Sequence, residues 1–298
     1  MKTSENTVVI HVSKYIDHKD RLCEHNCLFC MERMEPGKSK KILPSLEEIR
    51  ISLEEFEHQK GKIEKIYIAG GEPTLRPDFE DIVNAINKYC SNIILSSCCD
   101  YSDKLIFSKI KKLGIKKVAT SIHGDNPSIH DNLTKKNGSF YRTIESIRTF
   151  TKLGIIVSVN SVICSFNILR IPKIVKLFQD MQLNIEKLTL THYINHGNAF
   201  YHNELKFNID DYKDAIKKAI DISQLCDYKV SFRDFPLCLD SRLESLKENI
   251  ENINIIELGT NNFSCIEEQA PNYLKTKCTD CNLNKKCSHY LFSNYLEG

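Results

Sequence analysis

Short apolar runs of strand length alternate with stretches of helical periodicity along most of this 298-residue chain, and that alternation limits the fold more than any other feature. Thr7-Val8-Val9-Ile10-His11-Val12 has strand character. Ser45-Leu46-Glu47-Glu48 then forms a capping box, serine at the N-cap and glutamate three residues on. Leu46, Ile49, Leu53 and Phe56 follow on one helical face. Residues 66–69 read as a strand running into Gly70-Gly71. Further strands are expected over 92–97, 117–122, 155–163 and 187–191. Helices lie between them, opening at about Asp78, Asp103, Phe140 and Pro172, and a last one at Asp210; a polar loop with a short turn is expected over 124–138. Six β units, each followed by a helix, make βαβ repeats and a parallel sheet. The class is α/β. Periodicity alone leaves a partial barrel and an open doubly wound sheet both open.

The rhythm breaks after about Lys229. Residues 233–298 are rich in Cys, Asn and Lys, with one helix expected over 241–252. The chain therefore divides into a unit of residues 1–229 and a small Cys-rich unit of residues 230–298. Hydrophobic residues at 41% and charged residues at 27% suit a globular protein and argue against disorder. Lys+Arg 41 against Asp+Glu 39 leaves +2, and the lysine pairs are scattered, so no nucleic-acid or anionic-membrane partner is expected. The longest apolar run, near 155–159, is too short to span a bilayer. The first residues lack the basic head and apolar stretch of a signal peptide. A cytoplasmic location is the expectation. In that reducing compartment 13 cysteines, an odd number, favour metal or redox chemistry over disulfides.

Cys23-Glu24-His25-Asn26-Cys27-Leu28-Phe29-Cys30 is C-x3-C-x2-C just after the first strand, at the C-terminal mouth where α/β folds keep their sites. Three thiolates in one loop can hold a single metal centre. An iron–sulfur cluster normally takes four, so three leave one iron open, as a catalytic site requires and a structural one avoids. A zinc knuckle completed by His25 or His18 is a second reading, and three unrelated buried cysteines a third that the spacing disfavours. In the second unit Cys278, Cys281 and Cys287 form C-x2-C-x5-C, and Cys238 stands upstream in Phe235-Pro236-Leu237-Cys238. These four thiolates suffice to close a second cluster with no open iron; a zinc ribbon is the alternative, and Cys265 is the rival fourth ligand. Cys90, Cys164 and Cys226 fall within elements and read as core. His192, Tyr193 and His196 follow the sixth strand at the mouth.

The pairing of Cys23-x3-Cys27-x2-Cys30 with Gly70-Gly71-Glu72-Pro73-Thr74 after the second strand resembles radical S-adenosylmethionine (radical SAM) enzymes, over about residues 7–200. The resemblance implies a partial (β/α)6 TIM-type barrel. It also implies a [4Fe–4S] cluster on Cys23, Cys27 and Cys30, with S-adenosylmethionine chelating the open iron. Reductive cleavage would then give methionine and a 5′-deoxyadenosyl radical that takes a hydrogen atom from substrate. Gly70-Gly71 would let backbone approach the cofactor, Glu72 would receive its ammonium, and Phe29 would touch adenine. Ala119-Thr120-Ser121-Ile122-His123-Gly124 resembles the family's fourth-strand motif, placing Ser121, with Asn160 of the fifth strand, toward the cofactor. The third strand departs from the family, with Ser96-Ser97-Cys98-Cys99 where many relatives have Thr-Asn-Gly; lining the site and simple packing are both open for Cys98 and Cys99, with packing favoured. The C-terminal cysteines resemble the twitch or SPASM domain that holds an auxiliary [4Fe–4S] cluster. By the same resemblance the reaction is peptide modification: crosslinking, epimerisation with Cys265 as the second hydrogen donor, or oxidative decarboxylation. The alternatives are a small metabolite as substrate or a non-catalytic electron carrier. An electron donor such as flavodoxin or ferredoxin is implied. With about six residues before the first strand, a peptide substrate is expected to need a separate leader-binding protein or to bind the barrel directly.

Overall fold

The computed structural model describes residues 6–13, 22–31, 43–195, 197–208, 212–248, 253–257, 262–265, 282 and 287. Its strands are β1 Thr7–His11, β2 Lys65–Ala69, β3 Ile93–Ser96, β4 Lys117–Ser121, β5 Ile156–Ile163, β6 Lys187–His192, β7 Lys229–Arg233, β8 Ile253–Glu257 and β9 Asn262–Cys265. They form one sheet in the order β7-β6-β5-β4-β3-β2-β1-β8-β9. Every neighbouring pair from β7 to β8 is parallel, and β9 runs antiparallel to β8. Eight parallel strands in an unclosed sheet give the expected α/β partial barrel, with more strands than the six expected.

The helices are α1 Leu46–Lys60, α2 Phe79–Ile86, α3 Leu105–Lys112, α4 Pro127–Thr134, α5 Ser139–Lys152, α6 Ile171–Asp180, α7 Lys213–Ser223 and α8 Leu243–Leu246. The capping box of α1 forms as read, the Ser45 side chain accepting from Glu48 N and Glu48 accepting from Ser45 N at 2.6 Å. Along β2, Ile66 and Ile68 are fully buried in the core that also takes Ile49, Leu53 and Phe56 of α1. The alternate residues Lys65 and Tyr67 face an interior cavity of about 610 Å³, lined also by Ser121, Asn160, Arg233 and Glu248. The strands thus alternate because the barrel interior is polar space and the other face is core. Among the described residues no helix is long and apolar enough to cross a membrane.

Three segments differ from expectation. The loop expected over 124–138 contains α4, eight residues long, with Pro127 in its first turn and the Asn126 side chain capping Ile129 N at 3.2 Å. Its polar surface masked it, since only His130, Leu133 and Thr134 turn inward. The boundary read at 229/230 falls at the first residues of β7, whose Val230, Ser231 and Phe232 are buried beside β6. Of the helix expected over 241–252, residues 243–246 form α8, and 249–252 lie outside the described residues. Just after α8 the chain is pulled straight: Glu248 N donates to Phe232 O at 2.8 Å, and the Glu248 carboxylate takes Ser231 Oγ and Lys187 Nζ. Tertiary pairing outweighs helical propensity at that point.

Candidate functional site

Cys23, Cys27 and Cys30 are all half-buried on the segment that follows β1. Three anchors hold it. Asn26 N and Leu28 N donate to Thr134 O (2.8 Å) and Leu133 O (3.0 Å), carbonyls at the end of α4 that lack intrahelical partners. Asn198, buried in the 3-10 turn Gly197–Tyr201, donates from its Nδ2 to Cys27 O at 2.7 Å and from its backbone to Cys30 O at 2.9 Å. His25 Nε2 bonds Asp100 Oδ2 at 2.9 Å, and Arg142 of α5 donates to both oxygens of the same carboxylate. Burial works to raise the Asp100 carboxyl, but His25 and Arg142 outweigh it and hold its pKa at about 2. Among the described residues no three His, Cys, Asp or Glu side chains converge closely enough to hold a single metal ion. His18 lies outside the described residues.

The second half of the site follows β2. Gly70 has φ +96°, and a Cβ there would stand 2.5 Å from Ser13 O. Its need for glycine comes from the neighbouring strand end, where Ser13 Oγ also donates to Gly70 O at 2.8 Å. Gly71 follows at φ +58°. The turn delivers Glu72 inward, its side chain 3% exposed. Glu72 Oε1 accepts from Thr74 Oγ1 (2.6 Å) and Thr74 N (3.3 Å). Oε2 accepts from Ser97 Oγ (2.7 Å), Cys98 N (2.9 Å) and Cys98 Sγ (3.0 Å). All of these donors are neutral, and among the described residues no cation pairs with this buried carboxylate.

Cys98, for which packing is favoured, instead touches the Glu72 carboxylate. The neighbouring Cys98 thiol lowers the Cys23 pKa, and Cys23 together with burial raises that of Cys98 well above the ordinary thiol value. Cys99 is fully buried, and burial pushes its thiol up to about 12.

Phe29 is buried and meets His123 edge-on, ring centroids 4.6 Å apart. His123 stacks on His130 at 5.6 Å and accepts at Nδ1 from Val162 N; His130 Nδ1 accepts from His123 N. Burial first, then neighbouring histidines, hold both well below the ordinary imidazole pKa, His130 at about 4. Ser121 and Asn160 are register partners on β4 and β5 and both line the cavity; Asn160 Oδ1 accepts from Thr191 Oγ1 at 2.6 Å. His192 and Tyr193 lie inside, against Phe207, rather than at an open mouth. His196 lies outside the described residues.

Of the second cysteine set, Cys278 and Cys281 lie outside the described residues. Cys238 is exposed in the 3-10 turn Leu237–Leu239 beyond β7, and Cys287 packs against the core. Cys265 ends β9 in register with Asn254, itself level with Val8 near the start of β1; the Cys23 segment leaves the other end of that strand. Cys90 and Cys164 are buried, and Cys226 packs against the core, as read. Asn198, Asp100 and Arg142 carry no motif; of the donors to Glu72, Thr74 belongs to the Gly70–Thr74 motif, and Ser97-Cys98 stands out only as a departure from the family's pattern.

Residues 21–177, more than half the chain, match the family model of the Radical SAM superfamily. The chain belongs to this superfamily. Membership of this superfamily implies a [4Fe–4S] cluster and S-adenosylmethionine. Three thiols on one loop beside a buried, cation-free carboxylate suit that pair of groups. The GTP 3′,8-cyclase of Aquifex aeolicus is 30% identical over 171 residues, 55% of this chain and 52% of that one. The AdoMet-dependent heme synthase of Methanosarcina barkeri is 26% identical over 161 residues, covering 53% and 45%. This chain thus spans about half the length of these curated relatives. Streptococcus suis SuiB bound to S-adenosylmethionine shares the fold with TM-score 0.63 at 15% identity, over 95% of this chain and 72% of that one. Native anSMEcpe with bound AdoMet does so with TM-score 0.59 at 15% identity, over 74% and 61%.

Proposed function

We propose that Cys23, Cys27 and Cys30 ligate the [4Fe–4S] cluster, that Glu72 receives the ammonium of S-adenosylmethionine, and that the enzyme takes a hydrogen atom from a peptide substrate. The observation that carries the cofactor assignment is Glu72, a buried carboxylate with neutral donors on both oxygens and no cation among the described residues. Such a charge is costly unless paired, and a bound ammonium is the missing partner. Phe29 offers an apolar face beside the third cysteine, and Ser121 and Asn160 offer polar groups on the cavity wall. Asp100, Arg142 and Asn198 keep the cysteine segment fixed, so that ligand geometry is set before the cluster arrives. When bound, the cluster supplies one electron from a low-potential donor such as flavodoxin or ferredoxin, and S-adenosylmethionine supplies the hydrogen-abstracting group.

Peptide as substrate is supported by the extent of the likeness to SuiB, which has also been solved with its precursor peptide SuiA. A small metabolite is the second reading, favoured by the sequence likeness to GTP 3′,8-cyclase. Cys238, Cys278, Cys281 and Cys287 are proposed to hold an auxiliary [4Fe–4S] cluster that accepts an electron in an oxidising step. The test is anaerobic reconstitution of the full chain and of the Cys23/Cys27/Cys30 triple alanine variant. The wild type should form 5′-deoxyadenosine under reduction and the variant none. The variant should keep about four irons and four sulfides on the other four cysteines. Undiminished cleavage in the variant would sink the first assignment, and one zinc with no sulfide the second. Transfer of deuterium from labelled peptide or labelled nucleotide into 5′-deoxyadenosine distinguishes the substrates.

A further inference from the structure

Arg50, Arg76, Arg142, Arg148, Arg170 and Arg242 each donate a hydrogen bond to an aspartate or glutamate beside them. Arg233 differs. It ends β7 and faces the interior cavity of about 610 Å³. Its Nη2 stands 3.8 Å from Glu248 Oε1, too far for a hydrogen bond, and its buried Nε has no acceptor among the described residues. Glu248 is already committed, Oε1 to Lys187 Nζ at 2.5 Å and Oε2 to Ser231 Oγ at 2.7 Å. No other carboxylate among the described residues lines the cavity. The remaining cations of the lining are engaged: Lys117 pairs with Glu186, Lys187 with Glu248, and Lys65 has an interaction of its own. A planar fork of N–H donors is thus left in enclosed space with one charge and no hydrogen-bonded acceptor.

We propose that Arg233 anchors a carboxylate of the substrate inside the barrel. The guanidinium fork matches a carboxylate through two parallel N–H···O bonds, and its one unpaired charge matches one carboxylate. A di- or triphosphate carries several charges and calls for several cations, which this lining has already paired. Tyr67 lines the same space and offers its phenol O–H. Ser121 and Asn160, on the wall assigned to the cofactor, line it too, so a substrate held at Arg233 shares one enclosure with the proposed cofactor site. This assignment deepens the proposed function and rests on it in placing the substrate within the cavity. An acidic side chain, a peptide C-terminus and a small organic acid all present the same group.

The experiment is a ligand-observed NMR titration of the reconstituted full chain. The probes are a capped tetrapeptide containing glutamate, the same peptide with glutamine in its place, glutarate, and pyrophosphate. Wild type, Arg233→Gln and Arg233→Lys are compared at equal iron content. Peptide binding is taken as the excess of the glutamate form over the glutamine form. The glutamate peptide or glutarate should bind the wild type, and the tighter of the two identifies the source of the carboxylate. Arg233→Gln should weaken that binding by about 10- to 100-fold, the worth of a charge-assisted pair. Arg233→Lys keeps the charge without the fork and should lose about fivefold, one net hydrogen bond; it carries the test where Arg233→Gln does not fold. Unchanged carboxylate affinity in a folded variant overturns the proposal. So does pyrophosphate binding tighter than either carboxylate, or no carboxylate binding up to millimolar concentration. A wild type that binds carboxylate through Arg233 yet forms no 5′-deoxyadenosine under reduction keeps the subsite and removes the reaction proposed above. One that forms it without Arg233-dependent binding removes the subsite alone.

Discussion

Glu72 is the residue on which the site turns. Its carboxylate is buried beside neutral donors, so its charge has most to gain from a cation. Glu72→Gln keeps the shape and removes the charge. The expected result is a cluster retained at full iron content with S-adenosylmethionine affinity weaker by about 10- to 100-fold, the value of one charge-assisted hydrogen bond. Calorimetry on the reconstituted variant checks this, and unchanged affinity would place the ammonium elsewhere. Glu72 and the three cysteines were legible in the sequence because each belongs to a short motif at fixed spacing. Cys98, Asp100 and Asn198 were not, because their partners Glu72, His25 and Cys27 are separated from them by 26 to 171 residues. Nothing local in a sequence marks such a meeting, and the one hint was a departure at Ser97-Cys98 from what the family usually carries.

At the scale of elements, α4 is the piece that local reading missed and that the site most needs. Its inward residues are few, so helical periodicity is faint, while Asn126 and Pro127 are ordinary loop residues until the chain turns after them. The helix ends where its last carbonyls take the N–H groups of Asn26 and Leu28. Its stability and the placement of the cysteines are therefore coupled. Asn126→Ala removes the cap to Ile129 N and should cost about 1 kcal/mol. The same variant should lose iron faster to a chelator than wild type does. A urea melt and a timed chelation assay measure the two effects; a destabilised variant with unaltered iron loss would show that helix and loop are independent. The helices with a clear apolar stripe, such as α2 with Phe79, Ile82, Val83 and Ile86 buried, were legible from spacing. The seventh strand was not, because Lys229–Arg233 follows a break in rhythm and gains its place by pairing with β6. β8 gains its place beside β1, some 240 residues away, in the same way.

Across the whole molecule, three fully enclosed imidazoles make a global prediction. Burial holds His130 and His192 at about 4 and His123 well below its usual value. Each is therefore neutral when folded and takes up a proton on unfolding near pH 5. A depressed histidine pKa gives the unfolded state more bound protons between its own value, about 6.5, and the folded value. Stability then falls as pH drops through that window and levels off below it. For His130 and His192 the gap of about 2.5 units corresponds to roughly 3 kcal/mol each at the acid end. Asp100 works in a lower window. Its carboxyl, held at about 2, contributes stability that is complete above its unfolded value and is lost as pH falls toward 2. The molecule should therefore weaken first between pH 6.5 and 4, through its histidines, before Asp100 is protonated. Proton NMR of the imidazole resonances gives the direct check. Three histidines should show no titration between pH 7.5 and 5 while the fold persists. The unfolding free energy, measured in urea across the same range, should decline steeply; a flat profile would mean that these rings reach solvent.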